Sequence, residues 1–186
     1  MSAGELRIRD MGLDDCEAVA RVRVRGWHTT YAGMMPQAYL DAMSVQKDAA
    51  RRRAHLAGRD GTTSDLVAER AGEIVGWGCC GPYRDEAGER TGDAELYALY
   101  VLPEHHRTGA GRALTAGLLA RAAAGGHRRM LLWVLTENAR ARRFYARAGF
   151  APDGVEAPFD VLGVAVPETR YARRLSAADA AAPSFG

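Results

Sequence analysis

Between Glu95 and Ala124 the chain runs strand, glycine turn, helix, and that order limits what it can fold into and hold. Glu95-Leu-Tyr-Ala-Leu-Tyr-Val-Leu-Pro103 reads as a buried strand ending at a proline. His106-Arg107-Thr108-Gly109-Ala110-Gly111-Arg112 is the turn, and Ala113 to Ala124 is a helix with Leu114, Leu118 and Leu119 on one face and Gly125-Gly126 as its stop. Glycines let backbone come close to an anion, and a helix N-terminus offers unpaired N–H groups and a partial positive charge. Arg107 and Arg112 add full charges at the rim. The combination predicts a cradle for a phosphorylated cofactor.

The turn has no Gly-Lys-Ser/Thr, so it is not an ATP-type loop. A dinucleotide fingerprint needs three glycines in the first strand–helix unit; here two glycines sit deep in the chain, after several strands. A nucleotide-dependent phosphotransferase would also need a lysine and metal-ligating carboxylates near the loop, and the stretch lacks them.

At 186 residues and 47% hydrophobic, the chain is sized for one packed domain. A net charge of +2, with its 25 basic residues spread along the chain, demands neither a nucleic-acid nor a membrane partner. Cys16, Cys79 and Cys80 have no metal-ligand spacing, and adjacent His105 and His106 project differently, so no metal is expected. Reduced thiols, no membrane-length apolar run and a polar N-terminus point to a cytoplasmic protein. A homodimer stays open.

Leu6–Arg9 alternates as a first strand, and Asp14 or Asp15 can cap a helix carrying Val19 and Val22. Gly26 is expected to interrupt that helix, with residues 27–33 a loop or short helix. Short helices follow at Pro36 to Met43 and Asp48 to Ala57, the second with Arg51, Arg52 and Arg53 solvated. Residues 65–69 and 73–80 read as a hairpin about Ala71-Gly72, residues 84–92 as a polar excursion, and Met130–Leu135 as a buried strand. Phe159–Val166 and Thr169–Leu175 read as closing antiparallel strands. The expected domain is 1–175, with 1–60 on the acceptor side, 65–175 as the cofactor core and 176–186 a flexible tail.

A second segment is Asn138-Ala-Arg-Ala-Arg-Arg-Phe-Tyr-Ala-Arg-Ala-Gly-Phe150. Ala141, Phe144, Tyr145 and Ala148 form one apolar helical stripe, Asn138 stands at the N-cap and Gly149 just past the end. Capping and packing account for these residues. A tyrosine on the inner face nevertheless keeps a hydroxyl that needs a partner when buried.

The two segments together resemble the GCN5-related N-acetyltransferase (GNAT) superfamily. Its cofactor motif, Gln/Arg-x-x-Gly-x-Gly/Ala, is met by His106-x-x-Gly109-x-Gly111, with histidine as the departure. Its second motif, Asn-x-x-Ala-x-x-Phe-Tyr, is met in full by Asn138, Ala141, Phe144 and Tyr145. The resemblance covers residues 65–175 well and the N-terminal 60 loosely. It implies an α/β (α+β) fold, a mixed, mostly antiparallel sheet flanked by helices and splayed between its fourth and fifth strands. It further implies acetyl-CoA in that split: Leu99, Tyr100 and Val101 along the acetyl and pantetheine end, Arg107, Thr108, Gly109, Ala110, Gly111 and Arg112 around the pyrophosphate, and Asn138 on the pantetheine arm.

The implied reaction is direct attack of a primary amine, small-molecule or protein-borne, on the thioester. Such an amine, with pKa ~10.4, is almost wholly protonated near neutrality, so desolvation or a base must help. Glu95 is the candidate base, placed by simple alternation on the face of Tyr97 and Leu99; a solvent-facing strand-end carboxylate is the alternative. Tyr145 is the candidate acid for the departing thiolate. Trp27 and Tyr31 are the expected acceptor contacts, with His28, Trp77 and Trp133 as further wall candidates. A non-catalytic acetyl-CoA sensor on the same fold is the rival reading.

Overall fold

The computed structural model describes residues 4–181. Seven strands form one sheet in the order β1-β2-β3-β4-β5-β7-β6: β1 (Leu6–Asp10), β2 (Ser64–Arg70), β3 (Glu73–Arg84), β4 (Arg90–Val101), β5 (Arg129–Leu135), β6 (Ala151–Val161) and β7 (Val164–Arg174). Every neighbouring pair is antiparallel except β4 and β5. Parallel neighbours need a long crossover, and helix α4 (Ala110–Ala124) supplies it. β4 and β5 pair only at Ala94–Met130 and Glu95–Leu131, and beyond Glu95 they part. The sheet is therefore split where the resemblance places a cofactor.

The core lies on both faces of the sheet. On one, Leu114, Leu118, Leu119 and Ala122 of α4 pack on Leu66, Val75, Leu96, Met130 and Leu132. Burying one such leucine is worth about 1.5–3 kcal/mol. Helix α5 (Ala139–Arg147) lays Ala141 and Tyr145 on the same cluster. The other face carries α1 (Cys16–Thr30), α2 (Gln37–Asp41) and α3 (Val45–Gly58), with Cys16 and Val19 on Val67 and Trp77, and Trp27, Met35 and Leu40 on Leu135, Val161 and Val166.

Local chemistry shifts several expected boundaries. Gly26 does not interrupt α1, which continues to Thr30. The absent side chain serves packing: a Cβ on Gly26 would fall 3.0 Å from Tyr100 Cδ1. Asp15 does not cap α1 with its side chain; both its carboxylate oxygens accept from Arg9, at 2.7 and 2.9 Å. Helix α3 starts earlier than expected because Ser44 Oγ accepts from Lys47 N. Arg52 is not solvated: it bonds the buried Asp48 and lies 3.8 Å over the Trp77 ring. Residues 84–92 extend β3 and β4 into a hairpin. The closing strands turn at Leu162-Gly163, both with positive φ, so β6 begins at Ala151 and β7 at Val164.

Within the expected flexible tail, Ser176 opens a short helix α6 (Ala177–Ala180), and Asp179 pairs with Arg173 at 2.7 Å. Residues 182–186 lie outside the described residues. Among the described residues no helix is long and apolar enough to cross a membrane.

One irregularity decides which residues face which helix. Cys79 pairs with Ala98 and Cys80 with Leu96, so Tyr97 is an extra residue in β4. Alternation resets across this bulge. Leu96, Leu99 and Val101 all pack toward α4, whereas Ala98 and Tyr100 pack toward α1 and α3. Glu95, next to Leu96 and paired with Leu131, belongs to the α1 side. It does not share the face of Leu99, as uninterrupted alternation would have it.

Candidate active site

A cleft of about 930 Å³ opens where β4 and β5 part, large enough to hold a cofactor. Its basic end is built on the β4–α4 connection. Pro103–His105 form one 3-10 turn, and Thr108 Oγ1 donates to His105 O at 2.7 Å. Gly109 then N-caps α4 with φ +94°, a backbone region costly for any residue with a Cβ. No side chain caps this helix, so its first-turn N–H groups remain available to an anion. Arg107 also has positive φ, +64°. His106 Nε2 donates to Val101 O at 2.9 Å. Burial, helped by Arg140, lowers the His106 pKa, against the smaller opposing effect of this bond, which a charged ring can donate equally well.

Arg107, Arg112, Arg140, Arg143 and Arg147 line this end of the cleft, and none is ion-paired among the described residues. The contrast with Asp48, which gathers three arginines, is plain. Five unpaired guanidinium groups beside an uncapped helix N-terminus suit a polyphosphate. Thr108, Gly109 and Gly111 line the cleft with them, while Ala110 lies buried beneath. Sequence reading found Arg107 and Arg112 but missed the three arginines of α5. Their spacing at 140, 143 and 147, one helical face beside the apolar stripe, was the available signal.

The middle of the cleft is formed by Leu99, Tyr100 and Val101 on β4 and by Trp133 and Val134 on β5. Asn138 spends its side-chain oxygen on Ala141 N, capping α5, and its NH₂ makes no hydrogen bond among the described residues. Tyr145 lies in the wall, its ring edge-on to Phe144 and Phe150. Its hydroxyl makes no hydrogen bond among the described residues. Burial, and then Tyr100, push this phenol well up, so it stays protonated.

At the far end Tyr31 lines the cleft, its pKa raised to about 12 first by burial. Trp27 does not line it; it is 8% exposed, edge-on behind Tyr31 at 4.7 Å, with Nε1 buried and unpartnered among the described residues. Trp77 is buried against Asp65 and Arg52. Glu95 stands on the α1 side of the split, outside the main cleft lining. Burial, then the nearby Glu168, raise its pKa to about 7, against a smaller opposing effect of Arg170. Burial likewise raises Glu168 to about 7. Sequence reading missed Glu168, whose place depends on the β5–β7 register: Leu135–Glu168 and Trp133–Arg170.

The fold and the cleft define an acyl-CoA-type transferase scaffold. Residues 25–150 match the Acetyltransferase (GNAT) family model, and the chain belongs to that family. It is 30% identical over 162 residues to the uncharacterized N-acetyltransferase YuaI of Bacillus subtilis (strain 168), across 87% of this chain and 88% of that protein. Two solved structures share the fold. PaiA N-acetyltransferase from Thermoplasma acidophilum, in complex with coenzyme A, superposes with TM-score 0.71 at 19% identity, covering 91% of this chain and 99% of that one. YncA from Salmonella typhimurium with acetyl-CoA superposes with TM-score 0.69 at 23% identity, covering 98% and 99%.

Proposed function

We propose that this protein transfers the acetyl group of acetyl-CoA to a primary amine by direct attack on the thioester. The carrying observation is the cleft itself: an unpaired arginine cluster and an uncapped α4 N-terminus at one end, leading along the β4–β5 split to the unpartnered Tyr145 hydroxyl. Both chemistries of the donor fit. The pyrophosphate finds N–H groups and guanidinium groups, and the pantetheine arm, which is amide-bearing and extended, finds the free edge of β4 and the Asn138 amide.

Acetyl-CoA supplies an acyl thioester; the chain supplies binding and proton transfer. Arg107 to Arg112 hold the phosphates. Backbone at Leu99, Tyr100 and Val101, paired with β3 on one edge and open toward β5 on the other, orients the acyl end, and an N–H there steadies the charge that develops on oxygen. Glu95 takes the proton the attacking amine loses as its C–N bond forms. Tyr145 gives a proton to sulfur as the C–S bond breaks. A phenol raised by burial is a reluctant acid, so this step is uphill until negative charge grows on sulfur beside it. Tyr31 contacts the acceptor directly, with Trp27 holding its ring from behind. The acceptor under this reading is a small-molecule or protein-borne amine, and the site of action cytoplasmic.

A thiol-release screen of amines with acetyl-CoA tests the reading. Release that depends on both the amine and Tyr145 supports it. Tight CoA binding with no release for any amine would instead mark a non-catalytic acetyl-CoA sensor.

A further inference from the structure

Glu95 and Glu168 are half-buried carboxylates on one face of the sheet, on either side of Trp133. The register fixes this: Glu95 beside Leu131, Arg170 beside Trp133, Glu168 beside Leu135, all facing α1 and α2. Neither carboxylate has a hydrogen bond or ion pair among the described residues. The cation nearest to hand is already committed, since Arg170 Nε bonds Asp153 at 2.8 Å and its Nη1 donates to Tyr83 Oη at 3.0 Å. On α1, Arg23 is likewise held by Asp48. Tyr31 and Trp133 line the cleft, with Arg170 5.8 Å from the Trp133 ring centroid, and the two carboxylates stand beside that lining rather than in it. Glu168 is close enough to influence both Glu95 and Tyr31 electrostatically.

Resting on the acetyltransferase reading, we propose that Glu168 binds a second, cationic nitrogen of the acceptor, and that the acceptor is an aliphatic diamine. The attacking nitrogen must be neutral and hands its proton to Glu95, so it cannot offset Glu168. Leaving a half-buried carboxylate uncompensated is costly. A distal ammonium removes that cost. Glu168 thereby sets specificity while Glu95 serves the chemistry.

The test compares putrescine with n-butylamine, which match in chain length and differ in the second ammonium. Parent, Glu168→Gln and Glu168→Asp are assayed by thiol release, and putrescine is titrated calorimetrically into the CoA-loaded proteins. The parent should favour putrescine by about tenfold or more in kcat/KM, mostly through KM. Glu168→Gln should lose most of that preference and most of the putrescine binding, and Glu168→Asp should keep part. CoA titration of each variant reports whether the cleft remains folded. Equal kcat/KM for the two amines, absence of putrescine binding to the CoA-loaded parent, or an unchanged preference in Glu168→Gln overturns the inference. Putrescine binding that needs Glu168, without transfer, would support the inference and sink the acetyltransferase reading.

Discussion

Gly26 of α1 lies against the ring of Tyr100 on β4, so close that a Cβ there would fall 3.0 Å from Cδ1. Alanine normally gains about 1 kcal/mol over glycine inside a helix. Here the ring must give way first. Gly26→Ala should therefore melt no higher than the parent and should weaken acetyl-CoA binding by moving Tyr100. Thermal melts with CoA titration check this; a full helical gain with unchanged affinity would show the contact to be slack.

CoA or acetyl-CoA should stabilise the folded protein, since the cradle is assembled only on folding. At 100-fold over Kd the gain is about 2.7 kcal/mol, or a rise of roughly 5–10 °C in Tm for a chain of this size. ATP and NAD serve as controls. A shift with either of these and none with CoA would overturn the cofactor assignment.

Gly109→Val combines a positive φ with a branched side chain at the proposed phosphate cradle, and should weaken CoA binding at least about tenfold. Arg143→Gln leaves the backbone alone and should weaken it less, with a smaller loss at high salt than at low salt. Isothermal titration at two ionic strengths separates the two causes.

Tyr145→Phe keeps the ring packed on Phe144 and Phe150 and removes only the hydroxyl. Acetyl-CoA affinity should hold, while kcat falls by ~10²–10⁴ if the hydroxyl protonates sulfur. An unchanged kcat would reduce Tyr145 to a packing residue.

Glu95 and Glu168 have folded pKa values near 7, raised above the ordinary carboxylate value. Groups raised on folding favour the folded state below their unfolded pKa, and that support is lost as pH climbs through the folded pKa. Stability contributed by this pair should therefore fall between about pH 4 and pH 8. The double variant Glu95→Gln, Glu168→Gln should flatten that slope and gain on the order of 1–2 kcal/mol at pH 8. Urea melts across the range measure it. Glu95→Gln alone should also move the activity profile to higher pH, where the amine is already neutral.

Where a feature is written locally, the sequence carried it. The β4 strand, Gly109 at the turn, α4 and the Asn138-capped α5 each depend on neighbours a few residues away, and the glycine turn into α4 and the inward face of Tyr145 were legible for that reason. Glu168 was not, because its place depends on which strand lies beside β5. The face of Glu95 turned on a bulge at Tyr97 that no spacing announces. Leu162 hid the last hairpin turn, since leucine rarely takes positive φ. The three α5 arginines could have been found by asking which helical face had no acids to meet.

The short β4–β5 ladder makes the sheet two plates rather than one. Four strands stand on one side of the seam and three on the other, hinged at Ala94–Met130 and Glu95–Leu131 and strapped by α4. Past the hinge, each plate faces the other with backbone groups that no strand satisfies. A ligand lying in the gap touches both plates at once, so occupancy and rigidity rise together. Under the acetyltransferase reading the molecule should be stiffest when loaded, and the seam along which it would first yield is the one its ligand would fasten.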